Sequence, residues 1–430
     1  MSLSLEAAGI ALTDPATYED RPRYHALMAA LRRDAPLHRA APPGYRPFWV
    51  AAKHADICEV ETQPDVFVSG PRLELFSIEQ ERRIEASTGG NAAVGKTLLH
   101  MDGAEHRAYR GMSQAWFMPK NLRNLEQRVA ALAEGYVRRM ADAGGELDFV
   151  AQISELYPLN VILLIIGLPP EEAPELLRLT RNFTEREHMP VPPGMTREDL
   201  IVKGAQDIFD YFGAVYAERL KAPRDDVASV IANAKVDGEP IGAAQALSYM
   251  LLLGLAGHDT TNSTMSGAML ALIEHPGEFA RLRANPELVN PAVDEMLRWV
   301  SPVSNFMRTA TRDYAIRGQV IRAGEGVLLP FGSANRDEDV FEEPFRFKVD
   351  RKPNPQIAFG YGAHACLGQH LAKLELRAFF NALLPRLESV ELAGPAVLSA
   401  ITTAYKTKVL PIRYRMSAGA PWPRVPSARS

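Results

Sequence analysis

The sequence predicts a soluble, mainly α-helical fold with a minor β portion. Apolar residues recur at helical spacing from about residue 120 to 285 and again from about 367 to 385. Strand signals are short and confined to about 36–51 and 307–331. Hydrophobic residues make up 47% and charged residues 23% of the 430, the composition of a globular chain.

The elements follow in order. Residues 1–13 read as an N-terminal tail, ahead of a single domain over 14–416. Pro42-Pro43-Gly44 separates Pro36-Leu-His-Arg from Phe48-Trp-Val-Ala, which predicts a hairpin of two short strands. The helical region is broken at Pro169-Pro170, Met189–Gly194, Pro223 and Gly238-Glu-Pro240. Long amphipathic helices are expected at about 171–188 and 196–221, with the Pro-rich 189–194 segment as a mobile connection between them. Thr196 followed by Asp199 caps the second helix. Ile241–Glu274 is the longest and most apolar helical stretch. Residues 417–430 read as a disordered tail.

Charge narrows the function classes. Lys plus Arg total 48 against 52 Asp plus Glu, for a net charge of −4, which argues against a nucleic-acid partner. Met1–Asp14 lacks the basic and apolar regions of a signal peptide. Val161–Pro170, the most apolar run, is far short of the roughly 20 residues that span a bilayer. Cys58 and Cys366 are the only cysteines, so there is no disulfide framework. A cytoplasmic protein with no membrane attachment is expected.

Phe359-Gly-Tyr-Gly-Ala-His-Ala-Cys366-Leu-Gly368 carries the chemistry. Gly360 and Gly362 permit positive φ and hence a tight loop. Cys366 falls where a helix begins, with the amides of Leu367 and Gly368 available to its sulfur, an environment that favours a thiolate. Gly368, lacking a side chain, lets a flat cofactor approach. One cysteine cannot build a four-ligand zinc site, whereas haem iron needs a single strong axial ligand. Taken singly, a lone cysteine is more often a small buried hydrophobe. The loop as a whole is a ten-residue pattern fixed at five positions.

Phe359-x-x-Gly362-x-His364-x-Cys366-x-Gly368 resembles the haem-binding signature of the cytochrome P450 family. Glu295-Met-Leu-Arg298 and Ala256-Gly-His-Asp-Thr-Thr261 resemble two more of its motifs, in the family's order and spacing. His106-Arg-Ala-Tyr-Arg110, Ser333-Ala-Asn-Arg-Asp337 and Cys366–Lys373 are similar to the soluble bacterial class, and within it to the branch that hydroxylates α-terpineol and related small hydrophobic molecules. The likeness covers about residues 14–415. It implies the cytochrome P450 fold, a helix-rich triangular prism, with 14–416 as one haem-thiolate monooxygenase domain. The implied cofactor is haem b (iron protoporphyrin IX), bound non-covalently with Cys366 on the metal. The implied reaction inserts one atom of O2 into a C–H bond of a small hydrophobic substrate, a terpenoid or aromatic hydrocarbon. Electrons would come from NAD(P)H through a ferredoxin reductase and a ferredoxin, no reductase domain being fused to the chain.

Other positions gain meaning from this. Glu295 and Arg298 share one helix face and alone would read as a surface pair. The resemblance makes them a buried structural network with Arg351. Leu253, Ala256/Gly257, Thr260 and Thr264 form one helical stripe whose small residues leave a gap above a flat cofactor. The Thr260 hydroxyl there bonds either dioxygen or a carbonyl four residues back. Asp259, about 100° round the helix, leaves the pocket, which suits a proton relay with Thr260. The family's propionate-binding positions map to His106, Arg110, Arg308 and His364. Leu252 and Ala256 are expected to line the substrate pocket, with Phe306 and Ile401 added by resemblance. Arg107 and Arg110 lie on a helix resembling the family's proximal helix, and Arg110 and Lys373 map to positions where relatives meet their ferredoxins. A peroxide-dependent haem enzyme, which has little use for the Asp259–Thr260 pair, and a haem-based gas sensor or carrier, which binds CO or NO but forms no product, are the competing readings.

Overall fold

The computed structural model describes residues 4–87, 96–184 and 191–417. Its longest element is the helix Ala243–Glu274, apolar on nearly every side and therefore buried. Helices Leu156–Ile166, Arg197–Lys221 and Val289–Val300 pack around it. Gly257 permits one of these approaches, because a Cβ there would lie 2.4 Å from Cδ1 of Ile162. Below this layer, Pro119–Asp142 lies against Gln369–Leu383. The first presents Leu125, Val129, Ala133, Val137 and Met140 to a core containing Phe379, Phe380 and Leu383. This is an apolar stripe of the kind that the helical spacing predicts.

The hairpin forms as expected, Leu37–Ala40 pairing antiparallel with Phe48–Ala51 in the register Leu37 to Ala51. It joins a five-stranded sheet in the order 37–40, 48–51, 326–330, 305–310, 67–68. The 326–330 strand runs parallel to 48–51 and antiparallel to 305–310. Thr196 and Asp199 close a full capping box on Arg197–Lys221. The helix expected at 171–188 runs from Ala173 to Thr184 after a short 3-10 turn. Of the Pro-rich connection, Met189 and Pro190 lie outside the described residues; from 191 the chain is non-helical, with Gly194 at φ +83°.

The expected N-terminal tail needs correction. Leu5–Thr13 is a helix capped by the Ser4 side chain, with Ala8 and Leu12 buried. They pack in one cluster with Tyr18, Tyr24 and Ala40. Those partners give a nine-residue segment of modest propensity its stability. At the other end, the Ser417 amide donates to the carbonyl of Arg386 at 2.8 Å, and 418–430 lie outside the described residues.

Candidate functional site

The Cys loop is held by its own backbone. The Cys366 amide donates to the Phe359 carbonyl at 2.8 Å, and the Gly360 amide to that of Ile357 at 3.0 Å. Gly360 and Gly362 sit at φ +73° and +64°, where a side chain is strained. At Gly362 the space is also closed, since a Cβ would stand 2.2 Å from the carbonyl oxygen of Glu61. Cys366 opens onto a cavity just before the helix Gln369–Leu383. The Gly368 amide points at its sulfur, as the loop pattern suggested. Burial pushes the Cys366 thiol up, against the smaller opposing effects of the Gly368 amide and the Arg110 charge. A cation on the sulfur is what would remove that proton outright.

Across the cavity stand Leu252, Leu253, Ala256, Gly257, Thr260 and Thr264 of the central helix. Between the walls is a slot bounded by small residues, and a Cβ added at Gly368 would meet nothing within 4 Å. At the rim His106, Arg110, Arg308 and His364 come together, as the sequence led us to expect. Arg110 donates from Nη2 to the carbonyl of Ala365 at 2.8 Å. His106 and His364 stack with ring centroids 4.2 Å apart. Nε2 of His106 is buried without a hydrogen-bond partner. Its pKa is lowered to about 4 by burial and by the positive neighbours His364 and Arg110. Such a rim suits anionic oxygen atoms. A slot, a sulfur ligand and an orphaned ring nitrogen among cations together fit a haem with its two propionates.

Sequence reasoning missed Glu61, whose buried carboxylate pairs with Arg308 at 2.9 Å on the same rim. Nothing local marks it, because the pair spans 247 positions.

On the central helix Thr260 donates from Oγ1 to the Ala256 carbonyl at 2.7 Å. Of the two roles open to it, the back-bond is the one seen. Thr261, Ser263 and Thr264 repeat that pattern. Asp259 does leave the cavity, and on the far side it meets Nζ of Lys406 at 3.1 Å. Lys406, from the C-terminal hairpin, was the second residue missed. His258 is kept neutral by burial and donates from Nε2 to the Glu155 carbonyl at 2.8 Å, fixing the helix beside Asp259.

Leu252, Ala256 and Phe306 also line an adjoining chamber of about 610 Å³, together with Leu73, Phe76 and Phe183. Ile401 lines neither space and is corrected here; it is half-buried in the 399–406 turn, which places other residues inward. Glu295, Arg298 and Arg351 form the expected buried network, with Glu295 accepting from Arg298 Nε at 2.7 Å and Arg351 Nε at 2.9 Å. Arg107 is exposed. Lys373 is not an unengaged cation, since it pairs with Asp294 at 2.6 Å.

Comparison with known proteins bears on this geometry. The family model for cytochrome P450 matches residues 200–395. Cytochrome P450-terp from Pseudomonas sp is 38% identical over 408 residues, 93% of this chain and 95% of that protein. Linalool 8-monooxygenase from Pseudomonas putida is 32% identical, covering 86% of this chain and 90% of its own length. The crystal structure of CYP108D1 from Novosphingobium aromaticivorans superposes with a TM-score of 0.89 at 36% identity, over 96% of this chain and 98% of that one. CYP268A2 from Mycobacterium marinum, in complex with pseudoionone, gives a TM-score of 0.84 at 29% identity, over 93% and 97%. Members of the group bind haem b, in keeping with the slot and its rim. On sequence and fold together, the chain belongs to the cytochrome P450 family.

Proposed function

We propose that the chain is a haem-thiolate monooxygenase of the cytoplasm, inserting one atom of O2 into a C–H bond of a small terpenoid or aromatic hydrocarbon. The observation that carries this is one slot with Cys366 on one wall and Thr260 on the other, continuous with an apolar chamber. Cys366 is the proximal ligand, and His106, Arg110, Arg308 and His364 hold the propionates. Bound there, haem supplies oxygen binding and oxidising power, with thiolate donation favouring O–O cleavage.

The chain's own residues supply the rest. Thr260 keeps a hydroxyl proton at the cavity wall, while Asp259 collects protons on the solvent side. Its ion pair with Lys406 parks that carboxylate, and breaking the pair releases it toward Thr260. A positioned acid–base path of this kind contributes typically about 10²–10⁴ in rate. Leu252, Ala256 and Phe306 exclude water and select by shape, because an apolar lining offers few groups to read. The small-terpenoid class is supported by relatives named for linalool and crystallised with pseudoionone. Electrons come from NAD(P)H through a ferredoxin reductase and a ferredoxin that docks on the face carrying Arg107 and Lys373.

A spin-state screen of the haem-loaded protein tests this. Terpineol, linalool and bicyclic aromatics should drive the low-to-high-spin shift and give hydroxylated product with O2, NADPH, ferredoxin and reductase. Shifts from long fatty acids or large polar molecules alone would overturn the substrate class. Product with peroxide but none with O2 and the electron donors, or CO binding with no product under any donor, would overturn the reaction.

A further inference from the structure

The chamber and the slot differ in what stands at their far ends. Leu73, Leu99, Leu252, Ala256 and Phe306 line both spaces and form the apolar passage between them. Thr260 and Cys366 line the slot alone, whereas Thr97 and His100 line the chamber alone. A polar pair therefore stands across the passage from the sulfur.

The backbone builds this pair. Leu98–His100 is a single 3-10 turn, in which residues three apart eclipse one another. The His100 amide donates to the Thr97 carbonyl at 2.9 Å, and Thr97 Oγ1 lies 2.9 Å from Nδ1 of His100. That side-chain bond orients the ring. Nε2 has no partner among the described residues, which leaves it to the chamber that His100 lines. Burial holds the imidazole below its usual range, so the ring is neutral near pH 7. Nε2 is then a donor or an acceptor according to the direction of the Thr97 bond.

The charged residues of the chamber are engaged elsewhere. Arg46 pairs with Glu81 at 2.7 Å, and Glu74 and Glu85 have partners of their own. Arg72 donates from Nη2 to the Gly324 carbonyl at 2.7 Å, and its Nε is buried out of reach of the space. A neutral ring nitrogen among apolar side chains suits a neutral group. A hydroxyl serves both tautomers, since it accepts from an Nε2–H and donates to a bare Nε2. A site built to bond a hydroxyl discriminates against the analogue lacking it, because its own polar atom is then left unpaired.

We propose that His100 determines specificity by bonding a hydroxyl group of the substrate through Nε2, with the substrate's hydrocarbon skeleton lying along Leu99, Leu252 and Phe306 toward the slot. The proposal rests on the reading of the chamber as the substrate site. It adds a selection by functional group to the selection by shape that the apolar lining makes. The test is a spin-state titration of the haem-loaded protein with α-terpineol and with p-menth-1-ene, which differ by one hydroxyl. His100→Leu should lower the preference for the alcohol over the hydrocarbon by roughly 3- to 10-fold, the effect of one hydrogen bond, by weakening the alcohol. His100→Gln, which keeps an N–H near the place of Nε2, should retain most of that preference. The CO-difference band shows whether each variant is folded around its haem. An unchanged preference in folded His100→Leu, or equal losses in the Leu and Gln variants, would overturn the proposal. If neither compound shifted the spin state of the parent, the substrate class itself would fall, and this proposal with it.

Discussion

Replacing Glu295 by Leu should destabilise the protein more than almost any other single surface-free change. Glu295 is fully buried and accepts from Arg298 Nε and Nη2 at 2.7 and 2.8 Å, Arg351 Nε at 2.9 Å, the Lys348 amide at 2.9 Å and Asn354 Nδ2 at 3.3 Å. The two arginines cannot retreat to solvent when it is lost. Arg298 is tied to the carbonyls of Asn335 and Pro344, and Arg351 to those of Glu342 and Arg346. Two buried cations would then stand without an anion. Removing one partner of a buried pair costs about 3–5 kcal/mol. Unfolding entropy near 2.1 cal/mol/K per residue gives roughly 0.9 kcal/mol/K for a chain of this length, so Tm should fall by about 3–6 °C. Arg351 leads directly into the segment before the Cys loop, so haem should be released in the same step. The assay is thermal unfolding followed by far-UV circular dichroism and by Soret absorbance. Arg281→Ala, which removes an exposed pair with Glu278 and Asp350, is the control and should cost about 0–1 kcal/mol. A Glu295→Leu protein that melted with the Arg281→Ala control would refute the reasoning.

Other outcomes follow from the site. Cys366→Ala should lose the red-shifted Soret band of the reduced CO complex, while Cys58→Ser, whose side chain lines neither the slot nor its chamber, should keep it. Thr260→Ala should still bind substrate and oxidise NAD(P)H but divert electrons to peroxide; unchanged product per NAD(P)H would leave Thr260 with only its back-bond to Ala256. Asp259→Asn should slow turnover by about tenfold or more without altering the substrate-induced spin shift, as expected for a lost proton path. Gly362→Val, which must displace the Glu61 backbone and adopt a strained φ, should express without stable haem, measured as haem per chain. Charge reversal at Arg107 and Lys373 together should weaken the salt dependence of reduction by ferredoxin, measured by stopped flow at two ionic strengths, with substrate affinity unchanged.

Much of this was legible in the chain because local chemistry fixed it. Gly360 and Gly362 are demanded by backbone angles within the loop itself, and Thr196–Asp199 is a four-residue device. What escaped notice depended on distant partners. Glu61 is an ordinary helix residue until Arg308 is brought to it, and Lys406 meets Asp259 across 147 positions. Leu5–Thr13 read as a tail because its apolar face is weak and finds its cover on other elements. Ile401 failed for a different reason: resemblance carried its position, but a turn sets side-chain direction residue by residue.

Glu61 has a consequence for electron uptake. Its backbone carbonyl sits against Gly362 of the Cys loop, and its carboxylate occupies Arg308 at the rim. With haem in place, this carboxylate would compete with a propionate for Arg308. That competition would leave negative charge at the cofactor's edge at low dielectric, where such charge weighs most. Adding an electron there would be opposed, which would lower the reduction potential. The last residue of the helix His54–Glu61, packed against the Cys loop, would thereby also bear on when the iron accepts its first electron.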